Sequence, residues 1–353
     1  MLKVECRKPT YATVDAMNAD IISDVLCAVR LKGAIFFEVE ATAPWVSEAP
    51  HARLIAAQAV PGAQHVIEYH IVTAGSCWGT TVDTANDPER LGPGSVIVFP
   101  HGDPHVLSSE PGMRAPPAID AFKGRDNQTP PYRVVLKGDP DLKVDQPGQV
   151  RMICGFLGCD LLPFNPLIQA LPACVHLPDA YAAQDGWLKS LIEAIIRESA
   201  ERRPGGMTIL GKLSELVFVE VVRRYVELQT AQSGGWFAAL ADPCTGAAIR
   251  LMHADPRKAW NLANLAREVG VSRTILIEHF NAQLGFPPMT YLSNWRMQIA
   301  AGLLTGGSQP MARIADEVGY LSEAAFSRAF KRFTGMPPSQ WRNQGATRQA
   351  NAI

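Results

Sequence analysis

The chain has 353 residues, of which 47% are hydrophobic and 19% are charged, enough for two or three compact domains with apolar cores. No uninterrupted apolar run reaches the roughly 18 residues that a membrane span requires, so we expect a soluble, cytoplasmic protein. The seven cysteines are scattered and include no CxxC pair. This spacing fits neither a secreted disulfide framework nor a zinc finger.

The net charge of -1 conceals an uneven distribution of charge along the chain. Residues 1–175 carry 14 Lys and Arg against 19 Asp and Glu, whereas residues 236–345 carry 11 against 7. Attraction to phosphate is local to a binding face, so the C-terminal excess of positive charge is compatible with nucleic-acid binding.

Short β-rich runs separated by Gly, Pro and Asp clusters predict an N-terminal β domain. The runs lie at residues 34–39, 65–72, 76–82, 95–99, 132–136 and 150–156. Many short strands are typical of a sandwich or a barrel. Residues 108–131 are rich in Pro and Gly and have no periodicity, which predicts a long surface loop or lid.

The hydrophobic period then changes to that of a helix. Residues 186–201 and 210–228 have apolar side chains at helical spacing, and Pro204-Gly205-Gly206 separates the two runs. We expect two antiparallel helices, which either cap the barrel or form a dimer interface. Residues 231–235 are predicted to be the hinge into the last domain.

A repeated pattern near the C-terminus is the most specific signal in the sequence. LAREVG at residues 265–270 recurs as IADEVG at residues 314–319, and Ser, Phe, Gly and two Pro recur downstream. In each copy a glycine, Gly270 or Gly319, supplies a left-handed turn, and a serine, Ser272 or Ser322, caps the next helix. This order predicts two helix-turn-helix units, joined by one long helix over residues 288–304.

The second copy, IADEVGYLSEAAFSRAFKRFTGMPP at residues 314–338, and Trp295-Arg296-Met297 resemble the AraC/XylS family of transcription regulators. The resemblance covers about residues 236–342. It implies two units on one rigid protomer that reach successive major grooves about 34 Å apart on one face of the duplex. The implied partners are double-stranded operator DNA, RNA polymerase and a second copy of the chain.

The resemblance places the recognition helices at residues 272–283 and 322–333. The side chains expected to meet base edges near the capping Ser272 and Ser322 are Arg273, Thr274, Ile277 and Glu278 in the first unit and Glu323, Ala324, Ser327 and Arg328 in the second. Lys331, Arg332 and the helix N-termini are expected to hold phosphates. Glu278 stands where a basic or amide residue is common in the family. Because a carboxylate accepts from cytosine but repels phosphate, the first helix is expected to read an unusual base or to bind weakly.

The segment GSVIVFPHGDPH at residues 94–105 resembles the second conserved motif of cupin barrels, in which the final histidine points into the barrel. The first motif is kept in part, since Glu68-Tyr69-His70 stands where metal cupins show His-x-His. Strand alternation places Glu68 and His70 on one face, beside His105.

Glu68, His70 and His105 form a candidate effector pocket and a candidate metal site. Two histidines and a carboxylate suit Fe or Zn. In the alternative, the barrel binds a small effector without metal and the histidines are hydrogen-bonded core residues. Cys154, on the strand at residues 152–155, is a further ligand, a redox-sensitive thiol or a small core residue.

The sequence thus predicts an α+β multidomain protein. Its parts are a cupin-like β-barrel effector domain (residues 1–175), a helical linker and dimerisation hairpin (176–235), an all-α tandem helix-turn-helix domain (236–345) and a disordered tail (346–353). The predicted function is a DNA-binding transcription regulator, an activator and not an enzyme, that responds to a small ligand or a redox signal. The alternative is a cupin-type metal-dependent oxygenase or isomerase fused to a DNA-binding domain. That alternative is disfavoured because the first metal motif lacks its Glu and one His.

Overall fold

The computed structural model describes residues 20–83, 87–120, 130–137, 148–178, 186–228 and 235–350. The chain forms two compact units. The sheet unit comprises Leu31–Asp160 and Leu171–Tyr225, and the helical unit comprises Met1–Arg30, Leu161–Ala170 and Val226–Ile353. The predicted division at residue 175 did not anticipate that two short segments from residues 1–175 belong to the helical unit.

The strands of the sheet unit form two sheets, of order β10-β6-β3-β9-β1-β8 and β2-β7-β4-β5. The described strands are β1 (Lys32–Thr42), β2 (Val46–Ala49), β3 (His65–Ala74), β4 (Cys77–Thr81), β5 (Glu89–Leu91), β6 (Val96–Phe99), β7 (His105–Ser108), β8 (Tyr132–Leu136), β9 (Gln149–Cys159) and β10 (Val175–Leu177). All six predicted strands are present. The other four have only three or four residues, too few to show a period.

The core of this unit lies between the two sheets. A Cβ atom added to Gly79 of β4 would lie 2.9 Å from the Ile97 side chain of β6, so the sheets pack face to face. Val72 and Phe99 from one sheet join Leu107 from the other in a single buried cluster. The cupin-like architecture is therefore confirmed. Of the predicted loop, residues 109–120 contain no helix or strand, and residues 121–129 lie outside the described residues.

The helices are distributed between the two units. They are α1 (Ile21–Ala28), α2 (Ala56–Ala59), α3 (Pro166–Ala170), α4 (Trp187–Glu201), α5 (Gly206–Leu228), α6 (Trp236–Ala241), α7 (Pro243–Ala254), α8 (Leu262–Val269), α9 (Arg273–Leu284), α10 (Pro288–Gly306), α11 (Met311–Glu317), α12 (Glu323–Thr334) and α13 (Pro338–Ala350). Within the described ranges, no helix has the length and apolar character needed to span a bilayer.

The predicted hairpin of α4 and α5 packs on the six-stranded sheet. The Tyr69 hydroxyl of β3 is hydrogen-bonded to Ser214 of α5, and the backbone N–H of Gly33 donates to Glu215 at 3.2 Å. Apolar side chains on the other faces of the two helices remain exposed, namely Trp187, Ile196, Ile209 and Leu216. The hairpin therefore caps the sheet and keeps an apolar outer surface. Of the predicted hinge, residues 231–234 lie outside the described residues.

In the helical unit, the two predicted recognition helices, or reading helices, correspond to α9 and α12. The long connecting helix corresponds to α10. The ends of these helices differ from the predicted ones by two residues or fewer. Disorder was predicted from residue 346, but α13 continues to Ala350. The sequence ATRQA contains good helix formers and no proline, which favours this extension.

The close approach of β1 and α5 predicts a stability effect. A Cβ atom on Gly33 would lie 2.2 Å from the Gly211 carbonyl oxygen, a backbone atom that cannot rotate away. We expect Gly33→Ala to lower the free energy of unfolding by about 1–3 kcal/mol in urea titrations, the usual cost of overpacking. Gly92→Ala, where an added Cβ meets nothing within 4 Å, is the matched control. Equal effects of the two substitutions would contradict this packing.

Candidate functional sites

The four predicted pocket residues lie together on the inner face of the six-stranded sheet and the start of β7. His70 Nε2 lies 2.8 Å from His105 Nε2, and His105 Nε2 lies 3.9 Å from Glu68 Oε2. Cys154 of β9 is the direct register partner of His70 in β3, and side chains of such a pair share one face. All four are buried. Strand alternation predicted the common face of Glu68 and His70, and the resemblance to the second cupin motif predicted that His105 joins them.

Hydrogen bonding assigns the protons of the two imidazoles. His105 Nδ1 lies 3.0 Å from the Asp103 carbonyl oxygen, which can only accept, so Nδ1 carries the proton and Nε2 presents a lone pair. His70 Nε2 must therefore donate to His105. His70 Nδ1 and Glu68 Oε1 are then buried polar atoms without a hydrogen-bond partner. Phe99 stacks on His105 with ring centroids 3.8 Å apart and holds its orientation.

Burial also shifts the protonation of these groups. Desolvation raises the pKa of Glu68 to about 8 and lowers the pKa of His105 to about 4. Burial, with a smaller effect of His105, lowers the pKa of His70 well below its usual range. Burial likewise raises the pKa of the Cys154 thiol. At neutral pH the cluster is thus uncharged, with a protonated carboxyl group and a thiol that is not a thiolate.

The donor set of Glu68, His70 and His105 fits a divalent metal ion. It offers two imidazoles and a carboxylate, and Glu68 Oε1 and His70 Nδ1 lack partners. The hydrogen bond from His105 to the Asp103 carbonyl has the outer-shell form that commonly orients a metal-binding histidine.

Another group of possible ligands lies in the helical unit, where atoms of Asp242, Cys244 and His279 are within 4.8 Å of one another. Asp242 already caps α7 by accepting from the N–H groups of Cys244 and Thr245, and it lies 3.3 Å from His279. Helix capping accounts for this arrangement without a metal.

The first helix-turn-helix unit consists of α8 and α9. Gly270 ends α8 with φ of 80°, and Ser272 caps α9 by accepting from the N–H of Ile275 at 3.2 Å. Leu276 and Phe280 are buried. Of the predicted contact residues, Ser272, Arg273, Thr274 and Glu278 are exposed and Ile277 is half-buried. The N-terminal half of α9 is therefore open to solvent on the predicted side.

The second unit consists of α11 and α12 and repeats this geometry. Gly319 has φ of 75°, and Ser322 accepts from the N–H of Ala325 at 3.2 Å. Phe326 and Phe330 are buried. Of the predicted contact residues, Ser322, Glu323, Ala324, Arg328, Lys331 and Arg332 are exposed and Ser327 is half-buried. The exposed face of α12 carries more cations than that of α9.

The connecting helix α10 belongs to both cores. Tyr291 near its start contacts Phe280 of the first unit, at a centroid distance of 6.3 Å. Met297 and Leu304 further along lie in one buried cluster with Phe330 of the second unit. The two reading helices are thus both packed on α10, which serves as a single rigid rod.

Arg296 has a structural role that the sequence did not predict. Its guanidinium donates to the backbone carbonyl oxygens of Pro256 at 2.7 Å and of Lys258 at 2.8 Å. It therefore fixes the loop that precedes the first unit. Its position in Trp295-Arg296-Met297 was the only signal in the sequence.

The pKa values of the barrel cluster predict how stability depends on pH in chelator-treated protein. With a pKa of about 8 in the folded state and 4.5 in the unfolded state, Glu68 binds more protons when folded between these values. The free energy of unfolding therefore falls as pH rises, by up to about 1.4 kcal/mol per pH unit. The lowered pKa values of His70 and His105 matter only below pH 6.5. There the unfolded chain binds more protons than the folded chain, so the free energy of unfolding falls as pH falls.

We expect denaturant titrations to show this decline between pH 6.5 and 8 for the unmodified chain and a much smaller one for Glu68→Gln. A slope that is the same for both proteins would refute the assignment to Glu68.

Comparisons with known proteins match both domains of the chain. A family described as "Cupin" matches residues 20–227, and one described as "Helix-turn-helix domain" matches residues 265–344. A putative AraC-like transcription regulator of Streptomyces lividans is 30% identical over 79% of this chain and 88% of its own. The transcriptional regulator AlkR of Acinetobacter baylyi is 28% identical over 80% and 89%.

The RCS-specific transcriptional activator RclR of Escherichia coli is 29% identical over 50% of this chain and 62% of its own. The extent of the first match, together with the two serine-capped units on α10, gives the family: this chain belongs to the AraC-like transcription regulators, with a cupin domain before its helix-turn-helix domain.

Proposed function

We propose that this regulator activates transcription by reading an operator through the exposed N-terminal halves of α9 and α12. The observation that carries the proposal is that both helices are capped by serine, exposed at their first turns and packed on one connecting helix. Two such helices on one rod suit adjacent major grooves of one duplex face.

We assign direct contacts according to exposure and chemistry. Arg273 and Arg328 suit guanine, and Glu278 suits the amino group of cytosine. Thr274, Ile277, Glu323, Ala324 and Ser327 line the same two faces, and Lys331 and Arg332 lie where they can hold phosphates. Because Glu278 repels phosphate, we expect the second unit to contribute more of the affinity.

We propose that the barrel holds the effector, and that Glu68, His70, His105 and Cys154 line its pocket. A metal ion, Zn or Fe, would be held by Glu68, His70 and His105. When bound it would supply a positive charge that keeps Glu68 ionised and both imidazoles neutral. The redox alternative involves Cys154, but a buried thiol with a raised pKa is a slow nucleophile, so a small ligand or metal is favoured.

We further propose a cytoplasmic homodimer that contacts RNA polymerase and has no catalytic activity. Exposed apolar side chains on the outer faces of α4 and α5 support the dimer. The names of the related proteins, all regulators, support the absence of catalysis, and RclR is named an activator. Turnover with Fe(II) that is lost in His105→Ala would instead support the oxygenase or isomerase alternative.

Arg328→Ala tests the reading of bases. Losing a guanidinium from a base edge should weaken operator binding by about 1–3 kcal/mol and relax specificity at one base pair. Lys331→Ala is the matched control, because a lost phosphate contact should weaken binding to all sequences alike and reduce the salt dependence. Binding would be measured by fluorescence anisotropy on operator variants. A uniform loss in Arg328→Ala would make that residue a phosphate contact.

His105→Ala tests the metal site. We expect about one equivalent of Zn or Fe per chain in the dialysed protein by elemental analysis, and little in the variant, since a carboxylate and one imidazole hold metal weakly. His176→Ala is the control, because His176 lies in β10 and is paired with Glu89. Metal content that is equal in all three proteins, or absent from all three, would count against the site.

The double substitution Ile209→Glu with Leu216→Glu tests the dimer. Carboxylates on this apolar surface should shift sedimentation toward the monomer, because they would be desolvated at an interface. Leu54→Glu, at an exposed leucine elsewhere in the sheet unit, should leave the dimer intact. A monomer at every concentration before substitution would dispose of the proposal.

A further inference from the structure

The helical unit contains two segments that lie far from the DNA-binding domain in sequence. Residues 20–30, with α1, and residues 161–170, with α3, are part of its compact fold. Val25 of α1 and Leu167 of α3 are fully buried. The first and second helix-turn-helix units therefore fold together with the two pieces of chain that flank most of the barrel strands.

One buried side chain holds both segments. Gln298 of α10 is 1% exposed, and its amide nitrogen donates to the Ala28 carbonyl oxygen at 3.1 Å. Its amide oxygen accepts from the Phe164 N–H at 2.9 Å. Ala28 is the last residue of α1, where the helix offers its carbonyl no partner, so Gln298 satisfies it. The two partners also fix the amide orientation, since one can only accept and the other can only donate.

A second set of polar contacts, made by His253, holds only α1. His253 of α7, whose side chain is fully buried, lies 3.3 Å from Asp24 through Nδ1 and 3.0 Å from the Tyr291 hydroxyl through Nε2. Its ring stacks on Trp295 of α10 at 4.1 Å. Trp236 donates to the same Tyr291 oxygen, so that hydroxyl is free to donate to His253. The chain of hydrogen bonds thus runs from α1 to the connecting helix.

The chain leads directly from both held segments into paired strands. Only residues 29–31 separate Ala28 from β1, and only residues 160–163 separate β9 from Phe164. The ends concerned are neighbours in the sheet, because Lys32 of β1 pairs with Gly158 of β9. β9 also carries Cys154, opposite His70.

From this arrangement we infer that Gln298 is the positioning residue that couples the effector barrel to the connecting helix. A change in the cluster around His70 and Cys154 that shifts β9 against β1 changes the separation of the two peptide groups that Gln298 bridges. The amide satisfies both only at one separation, so α10, which carries both reading helices, is biased in turn. The inference rests on the proposed regulation by the barrel and names its route.

Because coupling between sites is reciprocal, DNA binding must then act back on the barrel strands, and we expect it to stabilise them. The test is amide hydrogen exchange of the full chain, with and without a duplex that the protein has selected from a random-sequence pool. We expect DNA to slow exchange about fivefold or more at the β1 and β9 ends nearest residues 31 and 160, the lower range of typical coupling. In Gln298→Leu this response should vanish while DNA still binds.

Gln298→Glu separates the two arms of the amide. Once ionised, its carboxylate still accepts from Phe164 but cannot donate to Ala28, so at a pH above the burial-raised pKa of this carboxyl group we expect faster exchange at the end of α1 and unchanged exchange at Phe164. Gln58→Leu, at an exposed glutamine of α2, is the control and should respond to DNA like the unmodified chain.

The outcomes separate the two claims. A chain that selects no DNA would refute the proposed function. A chain that binds selected DNA while β1 and β9 exchange at unchanged rates would refute the coupling alone, whatever the fate of the variants. A DNA response that persists in Gln298→Glu and Gln298→Leu would show that Gln298 is structural and carries no coupling.

Discussion

The organisation of the DNA-binding part depends on the burial of one helix in two cores. Tyr291 lies against the first reading unit, and Met297 and Leu304 lie in the core of the second. Because protein interiors are close-packed, neither unit can turn relative to α10 without opening a cavity. The spacing of the two reading helices is therefore a property of one rigid element, and any signal that acts on α10 acts on both.

Polar groups buried in each unit are the places where we propose that such a signal arises and is transmitted. In the barrel, Glu68 and His70 each leave one atom unpaired, and burial keeps the cluster uncharged. A buried polar group without a hydrogen-bond partner raises the free energy of the folded protein. A ligand or cation that pairs with the group removes this cost, which favours binding. In the helical unit, Gln298 is satisfied at both ends of its amide. The barrel cluster therefore has polar atoms left for a ligand to pair with, whereas Gln298 has both ends of its amide occupied by α1 and the residues before α3.

Much of the architecture could be predicted because its determinants are local. The glycine and serine positions fix each helix-turn-helix, and alternation in β3 places Glu68 and His70 on the inner face. Membership of α1 and α3 in the helical unit could not be predicted in this way. Their contacts with Gln298 join residues 270 and 134 positions apart, and no local period encodes such pairings. Protonation of the barrel cluster was also inaccessible, since it follows from desolvation that only the packed sheets impose.

Selection of DNA from a random-sequence pool, followed by hydroxyl-radical footprinting of the selected duplex, tests the central claim most directly. Two reading helices on one rod predict an enriched motif with two protected segments on one face of the duplex, about 10 base pairs apart for each protomer. A pool without an enriched motif, or protection of a single groove, would contradict the account.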